Sequence, residues 1–193
     1  MSTILKTAQK AWRKNTMTSL DALREHLKML ADFKKKNGVG SSLLYCGNED
    51  LVLQHGVEFE RAAKRPRGVR LGPKKRCFGN CADLVMSNPD DFLYVEGFGL
   101  GIIPTMHAWV IDRSGNVYDL TWRNVEHAAY IGIPFKTNFL VKMLVQNGVY
   151  GILEDWKSDF PLLRGKIRIE EAKQDMDEWL GSKIASNFAS NRA

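Results

Sequence analysis

The segment that begins at Phe92 contains three stretches typical of β-strands, and they constrain the fold more than any other part of the chain. FLYVEGFGLG, HAWVID and VYDLTW are rich in aromatic and β-branched residues, which favour a pleated, half-buried surface. The turn-forming sequence RSGN separates the last two stretches, so we expect them to pair as an antiparallel hairpin. The sequence therefore predicts a central antiparallel sheet that contains residues 93–98, 106–112 and 116–122.

An amphipathic helix is predicted ahead of the sheet, over residues 18–36. Leucines recur there at three- and four-residue steps, and Phe33 continues the same apolar face. Thr18 and Asp21 stand where a helix cap is expected, and the Asn-Gly pair after the helix is a good stop signal. The stretches that follow, SSLLYC and DLVLQHGVEF, are compatible either with strands or with a short helix.

Three further helices are predicted, one before the sheet segments and two after them. The first begins at Cys77 and ends before the sequence NPDD. The second fits residues 137–148, with Thr137 as its cap and Gly148 as its stop. The third begins at residue 169, and its amphipathic pattern fades into small polar residues. Helices and an antiparallel sheet together predict an α+β fold, with the Cys77 helix packed on one face of the sheet.

The length and composition of the chain indicate a single domain. A chain of 193 residues that is 44% hydrophobic can bury one sizeable core, and its sequence contains no internal repeat. We divide it into a helical and mixed region over 1–60, a basic loop over 61–76, a core over 77–155 and a carboxyl-terminal helical region over 156–193.

The sequence also indicates a compartment. No stretch approaches the roughly 18 apolar residues of a membrane helix, and the amino-terminal sequence lacks the apolar run of a secretory signal. With only three cysteines and no such signal, a disulfide framework is not expected. We therefore expect a cytoplasmic protein that does not engage a membrane.

The basic loop, residues 61–76, holds eight lysines and arginines and no acid. Since the whole chain has a net charge of +6, the rest of it carries −2. Prolines and glycines in this stretch favour a loop over a helix. Two interpretations stay open: a solvated connector, or a binding segment for anionic substrates or partners that uses Arg65, Arg67 and Arg70. In the second case the loop borders the site at Cys77, because it runs directly into that residue.

Cys77 and Cys81 differ in their predicted surroundings. Cys77 opens a helix, where unpaired N–H groups and the helix dipole favour a thiolate, and the cations before it add positive potential. Cys81 lies one turn further along among apolar residues, where a thiol usually packs as a small hydrophobic side chain. Cys77 is therefore the candidate nucleophile, and Cys81 is expected to be structural.

A candidate base, His107, lies in the stretch HAWVID. A three-residue hairpin loop over 113–115 would place Trp109 opposite Asp119, with His107 as the diagonal neighbour of Asp119 on the same face. A two-residue loop would instead place the histidine and the aspartate on opposite faces. Whether Asp119 can orient His107 therefore depends on the length of the loop.

Taken together, these motifs resemble a known family. A helix-initial cysteine, a strand with HAW and a hairpin that ends in YDLTW are similar to the transglutaminase-like branch of the papain-like cysteine enzymes, which share this Cys–His–Asp order. Leu120 stands where that branch often has proline. Residues 75–155 also resemble small uncharacterised proteins of bacteria and tailed phages with Cys-x-x-Asn, Tyr-Val-Glu-Gly and His-Ala-Trp motifs.

The resemblance implies a transglutaminase- or papain-like core and acyl-transfer chemistry on an amide or ester, with no cofactor and no metal. Its substrates would be peptides, proteins or small amides, and the reaction would be hydrolysis or transamidation. The resemblance makes Cys77 the nucleophile, His107 the general base and Asp119 the residue that orients the base. A phage-encoded protein of this kind would act on a host component in the host cytoplasm.

Five more side chains are candidates for the oxyanion site or the pocket. Asn80 lies one turn after the nucleophile, where it can donate to an oxyanion, hold the base or cap local backbone groups. Tyr94 and Glu96 lie on the expected neighbouring strand and can line the pocket. Trp109 and Trp122 either shield the site from water or belong to the core.

Two other functions stay open at this point. A zinc site could use Cys77, Cys81 and His107, with Cys46, since the cysteine spacing just fits, but the sequence supplies no second pair of ligands. A non-catalytic module on the same fold could bind a host protein or nucleic acid through the basic loop.

Overall fold

The computed structural model describes residues 17–60, 62–148 and 151–181. The fold is α+β. Its elements in chain order are α1 (Ser19–Lys36), α2 (Asn48–His55), β1 (Val57–Phe59), α3 (Cys77–Ser87), β2 (Phe92–Leu100), β3 (Pro104–Asp112), β4 (Val117–Tyr118), β5 (Ala129–Phe135), α4 (Thr137–Asn147), α5 (Ile169–Ala172) and α6 (Met176–Leu180).

The strands form one antiparallel sheet in the order β1-β5-β2-β3-β4. The predicted strands 93–98 and 106–112 lie within β2 and β3, which confirms the centre of the sheet. The prediction of a strand over 116–122 is wrong in extent, because β4 ends at Tyr118. The Asp119 carboxylate accepts hydrogen bonds from the next backbone N–H groups, and this turn takes the chain out of the sheet.

Strand β5 was not predicted, and β1 lies in the mixed stretch that was compatible either with strands or with a short helix. All seven residues of β5 are buried, so this strand lacks the alternation of apolar and polar residues that marks a half-exposed strand. Strand β1 has only three residues and follows α2 after a single glycine. The mixed stretch that contains both elements is therefore a helix followed by a strand.

The two faces of the sheet pack against different partners. One face contributes residues such as Tyr94, Val110 and Ile133 to a large core shared with α1, α2, α3 and α4. The other face packs against α6 through Trp109, Tyr130 and neighbouring residues. The predicted helix that begins at Cys77 is confirmed as α3, and its buried side chains face the larger core: Cys81, Ala82 and Val85.

The amino-terminal helix is confirmed, with one exception on its apolar face. Thr18 caps α1, and its hydroxyl accepts from the Asp21 backbone while the Asp21 carboxylate accepts from the Thr18 backbone. Leu23 and Leu27 are fully buried, whereas Phe33 is 61% exposed. The apolar face therefore ends before the last turn of the helix.

The two later helices differ from their predictions. Helix α4 ends at Gly148, which has a φ of 62°, as predicted, but its cap is Lys136, and Thr137 is the first helical residue. The helix predicted from residue 169 is interrupted after α5, because Lys173 and Gln174 pair with the end of β5. The remainder of that predicted helix, beyond residue 181, lies outside the described residues.

Two further predictions concern the rest of the chain. Residues 62–76 contain neither helix nor strand, which confirms the loop; Arg61 lies outside the described residues. Within the described parts of the chain, no helix has the length and apolar character needed to cross a membrane.

Candidate active site

The loop of the β3–β4 hairpin has three residues, 113–115, which is the loop length that places His107 and Asp119 on the same face. The Asp112 backbone N–H donates to the Asn116 carbonyl at 3.1 Å, and Gly115 adopts the left-handed φ of 78° that such loops favour. His107 and Asp119 therefore share a face of the sheet. Their side chains meet, with the Nε2 atom of His107 at 2.8 Å from the Oδ2 atom of Asp119.

The Asp119 carboxylate is buried and fully hydrogen-bonded. Its Oδ2 atom also accepts from the Tyr130 hydroxyl at 3.0 Å, and its Oδ1 atom accepts from the backbone N–H groups of Thr121 and Trp122, each at 2.8 Å. Burial by itself raises the pKa of Asp119, but the hydrogen bond from His107 and the other donors lower it below its ordinary value. The carboxylate is thus held ionised next to the imidazole.

His107 is buried between aromatic rings. The Trp122 ring stacks on the imidazole with the ring centroids 4.0 Å apart and the planes at 11°. Burial opposes the charged ring, but Asp119 and the Cys77 thiol outweigh it and raise the pKa of His107 to about 9. The site therefore favours an imidazolium form at neutral pH.

The third member, Cys77, reaches the imidazole from the amino terminus of α3. Strand β4 pairs only with Val110 and Ile111, so no strand covers the edge of β3 where His107 lies. At this open edge Cys77 lies beside His107: both residues line the same cleft, and the thiol contributes to the raised pKa of the imidazole. Since Nε2 of the ring is engaged by Asp119, Nδ1 is the nitrogen left for the thiol. The sulfur thus lies beside an imidazole that the Asp119 carboxylate holds in place.

Cys81 differs from Cys77 in its surroundings. Cys77 is partly exposed, whereas the Cys81 side chain is fully buried in the larger core. Burial raises the pKa of the Cys81 thiol well above its ordinary value, which keeps it protonated and unreactive.

A cleft of about 630 Å³ opens over the thiol and the imidazole. This volume is in the range of small-molecule and side-chain pockets. The cleft is lined by Lys74, Lys75, Cys77, Phe78, Thr105, Met106, His107, Thr121, Trp122, Arg123 and Asn124. A carbonyl group that enters this cleft can reach the sulfur.

Asn80 does not contribute to the cleft wall. Its amide nitrogen donates to the Pro73 carbonyl at 2.9 Å and to the Thr121 hydroxyl at 3.0 Å. Both donors of the amide are therefore committed, and the side chain ties α3 to the basic loop and to the segment after β4. Of the roles considered for Asn80, the structure therefore favours hydrogen bonding to neighbouring segments of the chain. It leaves no amide N–H of this side chain available to an oxyanion.

Tyr94 and Glu96 do lie on the neighbouring strand, but they do not line the cleft. Glu96 pairs with Ala108, so its side chain points to the face opposite His107. The Glu96 carboxylate accepts from the Tyr94 hydroxyl at 2.7 Å and from the backbone N–H groups of Ile152 and Leu153 at 2.7 and 2.9 Å. Both side chains anchor the chain after α4 to the sheet, which corrects their assignment as pocket residues.

The two tryptophans have different positions. Trp122 lines the cleft and stacks on His107, so it can shield the imidazole from water. Trp109 is fully buried below the site, where it packs against Phe59 and Tyr130. Trp109 therefore belongs to the core.

The basic loop borders the cleft, but through other residues than the predicted arginines. Arg65 donates to the backbone carbonyl of Asp119 at 3.0 Å, and Arg67 and Arg70 are exposed away from the cleft. Lys74 and Lys75 line the cleft instead. Arg65, Arg67 and Arg70 thus do not line this cleft, because the loop turns only its last residues towards the thiol, and their binding of an anionic substrate or partner stays a prediction.

Sequence reasoning missed two residues of the site. Tyr130 donates to the Asp119 carboxylate from β5, a strand that was not predicted. Arg123 lines the cleft from the segment after β4, where nothing in the local pattern distinguishes it from a surface cation. Both positions depend on how distant segments cross, which local sequence does not report.

The zinc hypothesis finds no ligand set in the described residues. Within residues 17–60, 62–148 and 151–181, no three His, Cys, Asp or Glu side chains lie close enough together to hold a metal ion. Cys46 lies elsewhere, with its thiol directed to the Ala31 carbonyl.

Comparison of the chain with protein-family models, with curated proteins and with solved structures finds no match. The function proposed for this site is therefore argued from its geometry.

Proposed function

We propose that the protein is an acyl-transfer enzyme with a cysteine nucleophile, in which Cys77, His107 and Asp119 act as a triad. The observation that carries the proposal is the 2.8 Å contact of Asp119 with His107, whose ring lines one open cleft together with Cys77. A buried carboxylate that holds an imidazole against a helix-initial thiol is the arrangement that activates a thiol.

In the first step the proton of the Cys77 thiol passes to Nδ1 of His107, which forms the imidazolium that the site favours, while Nε2–H stays hydrogen-bonded to Asp119. The thiolate attacks an amide or ester carbonyl, a C–S bond forms and the carbonyl electron pair moves to oxygen. The intermediate then collapses, and the C–N or C–O bond breaks. The leaving group takes the proton from the imidazolium, and a thioester remains on Cys77.

In the second step His107 removes a proton from water or from an amine, which attacks the thioester. The C–S bond breaks and the sulfur recovers a proton from the imidazolium. Water as the acceptor gives an acid, and an amine gives a new amide. The same three residues serve both outcomes.

Backbone N–H groups at the start of α3 are the available donors for the oxyanion. The first N–H groups of an α-helix have no partner inside the helix, and the side chain of the cap residue Arg76 makes no capping hydrogen bond to them. Cys77 and Phe78 lie at this end of α3 and line the cleft. Donors placed where negative charge develops lower the barrier of acyl transfer.

The test is acylation by p-nitrophenyl acetate, a generic acyl donor. We expect a burst of nitrophenolate and the gain of one acetyl group on Cys77, located by peptide mass spectrometry. Cys77→Ala should show neither. Addition of glycine ethyl ester to the acetylated enzyme then compares an amine acceptor with water.

One result would favour the rival function. If Cys77 stays unacylated and reacts with iodoacetamide no faster than free cysteine, the protein has no activated thiol. Salt-sensitive retention of the same preparation on heparin would then point to a non-catalytic module that uses the basic loop.

A further inference from the structure

The wall of the cleft is positively charged. Lys74, Lys75 and Arg123 line it, and among the described residues that line the cleft there is no aspartate or glutamate. Asp119 lies below the cleft, where it is buried and engaged by His107. The amino terminus of α3 adds the positive end of a helix dipole at the same place.

Some cations elsewhere on the surface have carboxylate partners, whereas the cations of the cleft have none among the described residues. Lys35 pairs with Asp50, and Lys166 with Asp159. Among the described residues, none of the three cations of the cleft forms an ion pair. The charge of the cleft is therefore available to a bound molecule.

The backbone at Lys75 is held in an unusual conformation. Its φ is 61°, in the left-handed region, which is unfavourable for a residue other than glycine. This residue lies two positions before the nucleophile and lines the cleft. Strained backbone of this kind persists where the surrounding structure imposes it, often at functional sites.

We infer that the acyl donor of this site carries a negative charge, a carboxylate or a phosphate, close to its reacting carbonyl, and that Lys74, Lys75 and Arg123 bind it. This inference rests on the proposed function, because it names the substrate class of the same thiol. The volume of about 630 Å³ fits a small anionic molecule or an acidic side chain with its backbone.

The test compares two alkylating reagents of nearly equal size, iodoacetate and iodoacetamide, of which only the first is charged. The rate ratio of iodoacetate to iodoacetamide at Cys77 is measured by peptide mass spectrometry and divided by the ratio for free cysteine. We expect a quotient of at least about three at low salt, which falls as salt screens the cations.

A charge-matched pair of variants assigns the effect. Lys74→Gln, Lys75→Gln and Arg123→Gln together should lower the quotient at least about threefold. The control combines Lys36→Gln, Lys64→Gln and Lys142→Gln, three exposed cations outside the cleft, and should keep the wild-type quotient. His107 is present in both variants, so its own charge does not affect the comparison.

The outcomes separate this inference from the proposed function. Fast labelling by iodoacetamide with the same quotient in both triple variants would overturn the anion site and leave the enzyme proposal intact. Slow labelling of Cys77 by both reagents, no faster than free cysteine, would overturn both.

Discussion

The Nε2 atom of His107 and the Oδ2 atom of Asp119 lie 2.8 Å apart, although the two residues are twelve positions apart in the chain. The three-residue loop between β3 and β4 brings them together, since it fixes the register of the hairpin. A loop shorter by one residue would turn one of the two side chains to the other face of the sheet. The candidate site thus depends on the length of a single turn.

We predict opposite effects for the two cysteines of α3. Cys77→Ala should abolish labelling by iodoacetamide and change the free energy of unfolding by less than about 0.5 kcal/mol, because the residue is partly exposed and alanine favours helix. Cys81→Ala should keep the labelling and lose about 1 kcal/mol, because it removes a fully buried side chain. Intact-mass kinetics and urea titration measure both. Equal loss of labelling in the two variants would contradict the assignment.

Removal of the base should lower the rate at which Cys77 is labelled, and the size of this effect should depend on pH. His107→Ala is expected to lower the labelling rate near neutral pH at least about tenfold, because no side chain then takes the thiol proton. Alkaline pH should restore part of the rate, since hydroxide removes the same proton. His127→Ala is the control, because His127 is exposed and does not line the cleft over the thiol. Parallel pH–rate profiles for wild type and His107→Ala would argue against a base.

Asp119→Asn should impair the site through the tautomer of His107. The amide –NH2 would replace the acceptor Oδ2 and donate to Nε2, so the ring proton would move to Nδ1 and face the thiol. We expect a labelling rate at least about tenfold lower at neutral pH. Tyr130→Phe is the matched control, since it removes one hydrogen bond to the carboxylate but keeps the charge, and its effect should be smaller. Nitrogen chemical shifts of His107 report the tautomer directly, and an unchanged Nε2–H in Asp119→Asn would refute this explanation.

The stability of the protein should depend on the ionisation of Glu96. Burial is the main cause that raises the pKa of this carboxyl to about 7, against 4.5 as its ordinary value. The folded protein therefore holds a proton that the unfolded chain releases, so this contribution to stability is complete below pH 4.5 and is lost as pH rises through 7. Its size is roughly 3 kcal/mol.

Glu96→Gln provides the comparison, because glutamine does not titrate. Urea titrations at pH 4.5, 6 and 8 should show wild type losing stability relative to the variant as pH rises. The variant itself should be less stable than wild type at pH 4.5, because its amide nitrogen would face one of the donors that now bind the carboxyl: Tyr94 Oη–H, Ile152 N–H or Leu153 N–H. A difference in stability that stays constant with pH would show that Glu96 does not titrate in this range.

Local pattern was sufficient for the elements that carry the three candidate residues. The α3 helix begins at Cys77 because apolar spacing and a stop sequence define it, and both signals lie within a dozen residues. The β3–β4 hairpin was predicted from local signals as well, but the sequence left the length of its loop open. The register of β3 and β4 in the structure shows that the loop has three residues. Signals of this range are local, so the sequence reports them directly.

Local pattern failed where long-range pairing competes with it. The helix expected from residue 169 is interrupted because the backbone of Lys173 and Gln174 pairs with β5, a strand nearly forty residues earlier. The sequence did not reveal β5, because all of its residues are buried and it lacks the alternation of apolar and polar residues. The sequence places Glu96 correctly on the strand next to β3, but it does not show which face of the sheet the side chain occupies. The pairing of Glu96 with Ala108 puts this side chain on the face opposite His107.

The sequence by itself determined which residues are the candidates for a reactive site: a thiol at a helix start, a histidine in a strand and an aspartate after a hairpin. Only the tertiary structure decided what surrounds them. It placed Lys74 and Lys75, rather than the arginines of the same loop, on the cleft wall, and it engaged the Asn80 amide elsewhere. The physical reason is that a loop's side-chain directions follow from its contacts with distant segments. Those contacts exist only after the sheet, α3 and the segment after β4 have packed together.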